Sequence, residues 1–382
     1  MAMTKHKKRL ILIISLAVVA AVIAVIIVLI MNKEKSDKLS WKEISAQTDV
    51  PENDFSNIIF TENCVLNIPD TDGFSSFSIE TGWIEEQEAT DRCLSIGNLI
   101  LGDVFTQEDF NKDGFEVYNR AMIRKTIGEE YYSCSYSKSN TFLAYKQSTV
   151  TKVSNADVER IIRLDRGETT DGCTYKVAGQ DYSAQQALDY AIKLVNETLK
   201  DYLDDVEYRA TNVIVLKNKN ADEYYYRVQF ENVIDNVPVR DSTVTATSET
   251  SEFYMYSNCM YVSICEPDKA GEVYKMGGIS LSEEKELEDS YIPLDDALKL
   301  ASDFMAEYYE REISEISVKY IEKGFYGDEK SNRLEPYWCF TSDTEYDPSA
   351  YTIRENEIMV NMSTGEVIVY VPEAMMYKSS LK

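Results

Sequence analysis

Residues Leu10 to Met31 (LILIISLAVVAAVIAVIIVLIM) form 22 consecutive uncharged positions, and no other feature restricts this chain's fold so sharply. At about 1.5 Å rise per residue, a helix of that length crosses the roughly 30 Å hydrocarbon core of a bilayer. A helix buried in a soluble domain keeps a polar stripe, whereas this run is relieved only by Ser15. A cleaved signal peptide has an apolar region of about 7 to 15 residues followed by a small-x-small site; here the run is longer and Asn32-Lys33-Glu34-Lys35 follows. The segment therefore predicts a transmembrane helix over residues 10–31. Lys5, Lys7, Lys8 and Arg9 precede it with no acid among them, which places the basic tail 1–9 in the cytoplasm and the rest of the chain outside. Lys33, Lys35 and Lys38 on the far side weaken that asymmetry. The expected location is the cell membrane, single-pass, with an extracytoplasmic body and the bilayer as partner through residues 10–31.

The body is acidic. The chain has 39 basic and 66 acidic side chains, net −27, and the basic tail leaves the remainder more negative still. Such a field repels phosphate backbones and argues against nucleic acid as a partner. The sole histidine is His6, so no imidazole follows the tail. That removes the Ser-His-Asp base, the Cys-His pair, His-ligated zinc and any H-E-x-x-H helix from the body. No phosphate-cradling glycine loop is present, and no cofactor is expected. The seven cysteines are widely spaced without C-x-x-C, which fits neither a zinc framework nor a dense disulfide scaffold.

Residues 32–54 are polar with one Trp and read as a stalk. Residues 55–170 form an expected N-terminal α+β unit: β-rich runs over 57–68 and 74–84, a helix over 85–101, and a hairpin from 130–136 and 141–150. The clearest helix opens at Ser183, with Gln186 in capping-box spacing. Its apolar stripe runs Ala184, Ala187, Leu188, Ala191, Ile192, Val195, Leu199, Tyr202. Strands 210–216 and 223–230 follow. The same order returns near residue 292, where Pro293 starts a helix with Leu294, Ala297, Leu298, Ala301, Met305 and Tyr308 on one face, followed by strands at 316–325, 334–341, 351–362 and 366–371. Ala187-Leu188 matches Ala297-Leu298, and Tyr225-Tyr226-x-Val228 matches Tyr337-Trp338-x-Phe340. Two units, 171–275 and 276–382, are expected on this repeat. The fold class is thus α+β: the spanning helix, then antiparallel sheets each packed by one long amphipathic helix.

The second unit resembles a PepSY-type domain of bacterial cell envelopes. The resemblance rests on Ala297-Leu298 at the helix start, on Pro336-Tyr337-Trp338-Cys339-Phe340, and on the hairpin Ile358-Met359-Val360-Asn361-Met362-Ser363-Thr364-Gly365-Glu366-Val367. Asn361 stands where the family usually has Asp. The first unit keeps the helix, the aromatic strand and Asp235-Asn236-Val237-Pro238-Val239, similar to the Asp-Gly-x-Pro-Val turn of two-repeat relatives, but lacks Thr-Gly-Glu. The resemblance covers residues 180–372. It implies two PepSY-like repeats and a noncatalytic module that inhibits a protease or modulates another protein, without supplying site residues.

Three residue groups invite chemistry. Glu283, Glu284, Glu286, Glu288 and Asp289 cluster before the second helix and could serve a carboxylate-dependent wall glycan hydrolase; a solvated acidic loop that favours the following helix N-terminus explains them as well. Asp109-Phe110-Asn111-Lys112-Asp113-Gly114 begins like a calcium loop, but Arg120 occupies the position of the bidentate Glu, so no metal site is assigned. The 27 tyrosines could stack on sugars, yet most lie in strand patterns. The expectation is an anchored, noncatalytic binding or regulatory protein with a protein partner and no assigned catalytic, cofactor or metal residues. A wall glycan hydrolase and a passive glycan-binding protein are the alternatives.

Overall fold

The computed structural model describes residues 38–47, 49–51, 55, 57–80, 84–110, 120–137, 140–204, 206–240, 256–305, 311–322, 333–342, 346–347, 352–353, 356–370 and 377–378. The expected spanning segment 10–31 lies outside them. Among the described residues, no helix is long and apolar enough to cross a membrane.

Strands dominate the chain order. The short helix α1 (Trp41–Ile44) is followed by β1 (Ile58–Asn67) and β2 (Ser75–Glu80). Helix α2 (Glu86–Leu101) leads to β3 (Arg120–Ile127), β4 (Glu130–Ser137) and β5 (Phe142–Lys146). Helix α3 (Gln147–Ser154), β6 (Ala156–Arg163) and the small hairpin β7 (Thr174–Val177) and β8 (Gln180–Ser183) come next. After helix α4 (Ala184–Lys193) come β9 (Glu207–Asn218), β10 (Tyr224–Ile234), β11 (Val237–Pro238), β12 (Tyr256–Glu266) and β13 (Lys269–Gly277). Strand β14 (Ser280–Glu286) precedes α5 (Leu294–Met305). Beyond it are β15 (Arg311–Glu322), β16 (Arg333–Ser342), the pair β17 (Tyr346–Asp347) and β18 (Thr352–Ile353), then β19 (Asn356–Asn361), β20 (Val367–Tyr370) and β21 (Tyr377–Lys378).

These strands build two large sheets. One has nine strands in the order β3-β4-β5-β13-β12-β10-β9-β6, with β11 on β10. The other has eight, β1-β15-β16-β19-β20-β21, with β2 joining β16 and β14. The α+β expectation is thereby corrected: the fold is mostly β, and its sheets are not each packed by one helix. Helices α2 and α4 share one face of the nine-stranded sheet and α3 lies on the other. Antiparallel pairing is also not universal, because β1 runs parallel to β15.

The expected unit 55–170 does not stand alone. Its first two strands cross to the far sheet, while β3–β6, α2 and α3 complete the near one. The physical reason is edge satisfaction: an open meander leaves rows of N–H and C=O groups unpaired, and strands from another part of the chain pair with them. The polar stalk is corrected as well. Trp41 and Ile44 are buried in the second core, with Trp41 Nε1 donating to Thr71 O at 2.8 Å and its ring edge-on to Phe74. Burying an indole outweighs the polarity of its neighbours.

Within each sheet the helix-then-four-strand order recurs, α4-β9-β10-β12-β13 and α5-β15-β16-β19-β20. Two contacts recur with it. Tyr226 Oη on β10 donates to Tyr182 O at 2.8 Å, and Trp338 Nε1 on β16 donates to Ile292 O at 2.9 Å. Each accepting carbonyl lies two residues before its helix. The tip of each closing hairpin is then fastened to that same point, through Tyr182 Oη donating to Asp268 Oδ1 (2.9 Å) and Ile292 N donating to Met362 O (2.8 Å).

The stripe of α4 departs from the expected phase. Ile192, in the regular part of the helix, is 36% exposed; Leu194–Thr198 then forms a π-turn, at whose start Leu194 and Val195 are both buried. Four of the ten residues expected as strand over 141–150 are helical, in α3, which lies close to β13 because Gly271 has no side chain: a Cβ there would stand 2.0 Å from Thr149 Oγ1. Of the predicted face of α5, Tyr308 lies outside the described residues; the other five are buried.

The closing hairpin explains its departure from the family pattern. Asn361 Oδ1 accepts from the backbone N–H groups of Ser363 (2.9 Å) and Thr364 (2.8 Å), as an Asp would, and Gly365 takes φ 76°. Asn361 Nδ2 also donates to the buried Glu335 carboxylate at 2.9 Å, which an aspartate cannot do. Asn361→Asp should therefore set two buried carboxylates against each other. It is expected to cost about 2 to 4 kcal/mol at neutral pH, with partial recovery in acid, measured by denaturant unfolding. A neutral effect would show that Glu335 does not need this donor.

Candidate functional site

The two sheets meet where the chain passes from β10 through β11. Asp235 (φ 49°) and Asn236 (φ 65°) make a two-residue turn of the left-handed kind that Asp and Asn tolerate best. Beyond it Val237 and Val239 are fully buried in the second core. Val239 forms a parallel bridge with Tyr320, and Arg240 N donates to Tyr320 O at 2.9 Å, so this turn straps one sheet to the other. Asn236 Nδ2 donates to Asp70 O at 3.0 Å, and a hollow opens on either side of that contact.

The first hollow, about 620 Å³, is acidic: Asp70, Asp72, Asp235, Glu286 and Asp289 line it, together with Phe74 and Tyr291. The aromatic floor is fixed. Phe74 packs edge-on to Trp41 (4.6 Å between centroids) and to Tyr291 (5.3 Å), and its N–H donates to Tyr291 Oη at 3.3 Å. Asp289 accepts from Trp41 N at 2.6 Å. Converging carboxylates beside aromatic rings suit a cation.

Only part of the predicted acidic cluster reaches this hollow. Residues 280–286 form strand β14, paired with β2, rather than a loop, and their acidic side chains are exposed as the solvated reading had them. Glu283 pairs with Arg333 at 3.0 Å and Glu284 accepts from Ser75 Oγ at 2.7 Å, while Glu286 and Asp289 line the cavity. Asp70, Asp72 and Asp235 come from distant loops that give no spacing signal in the sequence. In the string that resembles a calcium loop, residues 111–119 lie outside the described residues. Asp109 itself accepts from Lys125 Nζ (2.9 Å) and Thr106 N (2.8 Å), and the Lys125 hydrogen bond leads in holding its carboxyl below the usual range. Among the described residues, no group of three or more His, Cys, Asp or Glu side chains is arranged to hold a metal ion.

The second hollow is a cleft of about 420 Å³ walled by both sheets, with Arg209 and Glu231 from β9 and β10 facing Glu315, Ser317 and Lys319 from β15. Arg209 Nη2 lies 2.7 Å from Glu231 Oε1. Glu315 accepts from Arg166 Nε at 3.4 Å and Asn67 Nδ2 at 3.1 Å. Lys319 Nζ lies 3.0 Å from Glu357, which also pairs with Arg240. Burial pushes the Glu231 carboxyl up against the pull of Arg209. Burial would do the same to Glu357, but Arg240 and Lys319 outweigh it and hold that carboxyl at about 2.

Cys134, Cys265 and Cys339 are buried, and burial raises each thiol, that of Cys265 to about 12, so the nucleophilic thiolate is scarce at neutral pH.

No family model matches the sequence, and a search among curated proteins found no match. The fold is similar to the crystal structure of an uncharacterized protein from Eubacterium rectale ATCC 33656 at 1.45 Å resolution. The likeness has a TM-score of 0.50 and 11% sequence identity, and covers 88% of this chain and 99% of that one. At such identity the likeness is one of fold alone.

Proposed function

We propose that this chain is a noncatalytic binding and regulatory protein, held at the outer side of a bacterial cell membrane by its apolar run 10–31, whose body modulates a protein partner in the membrane or envelope. The acidic hollow carries this reading. Five carboxylates drawn from separate segments converge over a fixed aromatic floor, an arrangement complementary to a basic segment of another protein. The lack of any histidine after His6 and the raised, buried thiols support a role without nucleophilic catalysis. The recurring helix-to-strand contacts support reading the two units as repeats; the modulating role itself rests on the PepSY-like resemblance.

A photo-crosslinking residue placed at the exposed Asp72 in intact cells tests this. The expected result is a discrete protein adduct, at least fivefold weaker when Asp235 and Glu286 are replaced by Asn and Gln. Capture of wall polymer alone, or an adduct indifferent to those two charges, overturns the reading.

A further inference from the structure

The cleft between the sheets is set apart from the acidic hollow by its chemistry. Charges of both signs line it: Arg209 and Lys319 against Glu231 and Glu315. A cation or an anion entering alone would meet a like charge at close range, so the species that gains most is one carrying both. Ser317, a residue 3% exposed, lines this cleft, and its buried hydroxyl has no hydrogen-bond partner in the structure. Leaving a buried hydroxyl unsatisfied costs on the order of a lost hydrogen bond, and a ligand reaching Ser317 would recover it.

Spacing narrows the ligand further. Glu315, Ser317 and Lys319 occupy alternate positions of β15 and so project from one face of the strand. Four residues at about 3.3 Å each place the Cα atoms of the acid and of the cation about 13 Å apart, with that of the serine midway. A dipeptide about 7 Å long, with a hydrogen bond of about 2.9 Å at either end, spans the same distance. Laid along β15, such a ligand would bring its central amide to the level of Ser317. The volume, about 420 Å³, lies within the range of small-ligand sites. On the opposite wall Glu231 is a carboxylate whose burial is incompletely offset by Arg209, and an ammonium group nearby would stabilise its charge.

We propose that the inter-sheet cleft binds a small zwitterionic peptide of dipeptide length with both ends uncapped, its ammonium directed to Glu315 and Glu231, its carboxylate to Lys319 and Arg209, and its amide to Ser317. Because both sheets supply walls, occupancy would fix their relative position. The inference does not rest on the protein-partner reading, since the acidic hollow is tested by a separate adduct at Asp72.

The test is calorimetric titration of the detergent-solubilised full chain with dialanine, N-acetyl-dialanine, dialanine amide and free alanine. Saturable binding of dialanine is expected, at least tenfold tighter than that of either capped form or of free alanine. Ser317→Ala, which removes a hydroxyl that bonds nothing in the protein, should not lower the melting temperature and should weaken dialanine three- to tenfold. Absence of dialanine binding overturns the proposal, and so does equal binding of the capped forms. Should Ser317→Ala alter the melting temperature, the comparison of capped and uncapped peptides on the unaltered chain still decides.

Discussion

Replacing Trp338 by alanine is expected to lower the stability of the second sheet by about 4 to 6 kcal/mol, as a fall in denaturant midpoint of the full chain. Trp338 is fully buried at the centre of β16, between the strands that carry Ile316 and Val360 and under α5. Removing the indole from a core costs about 3 to 5 kcal/mol in transfer and cavity terms. It also deprives Ile292 O of its donor, for about 1 kcal/mol more. That carbonyl stands at the start of α5, so the loss loosens the helix as well as the core. Against a typical total of about 5 to 15 kcal/mol, this is enough to unfold the sheet on mild warming. Trp338→Phe keeps most of the volume and should cost about 1 to 2 kcal/mol. Tyr226→Phe, which removes the matching bond to Tyr182, should cost about 1 kcal/mol in the first sheet. A loss below about 2 kcal/mol for Trp338→Ala would mean that the central aromatic does not fasten helix to strand.

The second large effect is acid unfolding at the junction. Glu357 lies buried between Arg240 and Lys319, which hold its carboxyl at about 2 against an ordinary value of 4.5. A carboxyl depressed on folding adds stability that is complete above the unfolded value and disappears as pH falls through the folded one. The contribution, about 3 kcal/mol at about 1.4 kcal/mol per unit, should thus persist to about pH 4.5 and be lost towards pH 2. Glu357→Gln should abolish that part of the pH dependence and, at neutral pH, leave two part-buried cations without their shared carboxylate, a loss of about 2 to 4 kcal/mol. Denaturant midpoints of both chains between pH 2 and 7 check this. Parallel curves for the two would mean the junction does not depend on the Glu357 charge.

Parts of the site were legible in the order of residues and parts were not. The Ser183-Gln186 cap was readable because its two hydrogen bonds are local, and both form. The aromatic pairs Tyr225-Tyr226 and Tyr337-Trp338 were readable because alternation on a strand marks core positions. The turn Asp235-Asn236 stood out by its residue types, yet nothing local said that it straps one sheet to another. The acidic hollow was half visible: Glu286 and Asp289 belonged to a conspicuous cluster, but Asp70, Asp72 and Asp235 join them from 50 or more residues away. The cleft was not visible at all, since Arg209, Glu231 and Ser317 look like ordinary strand residues until the sheets meet.

By itself the sequence determined what acts at short range: an apolar segment of spanning length, a body without imidazole, two capped or proline-started helices, and the faces of their following strands. Those outcomes depend on contacts a few residues apart, where periodicity and capping decide. Tertiary structure alone decided which strands share a sheet, that β1 and β2 cross to the second body, and that Trp41 leaves the stalk for a core. Pairing of distant strand edges is set by the burial and hydrogen bonding of the whole assembly, and no local pattern encodes the partner.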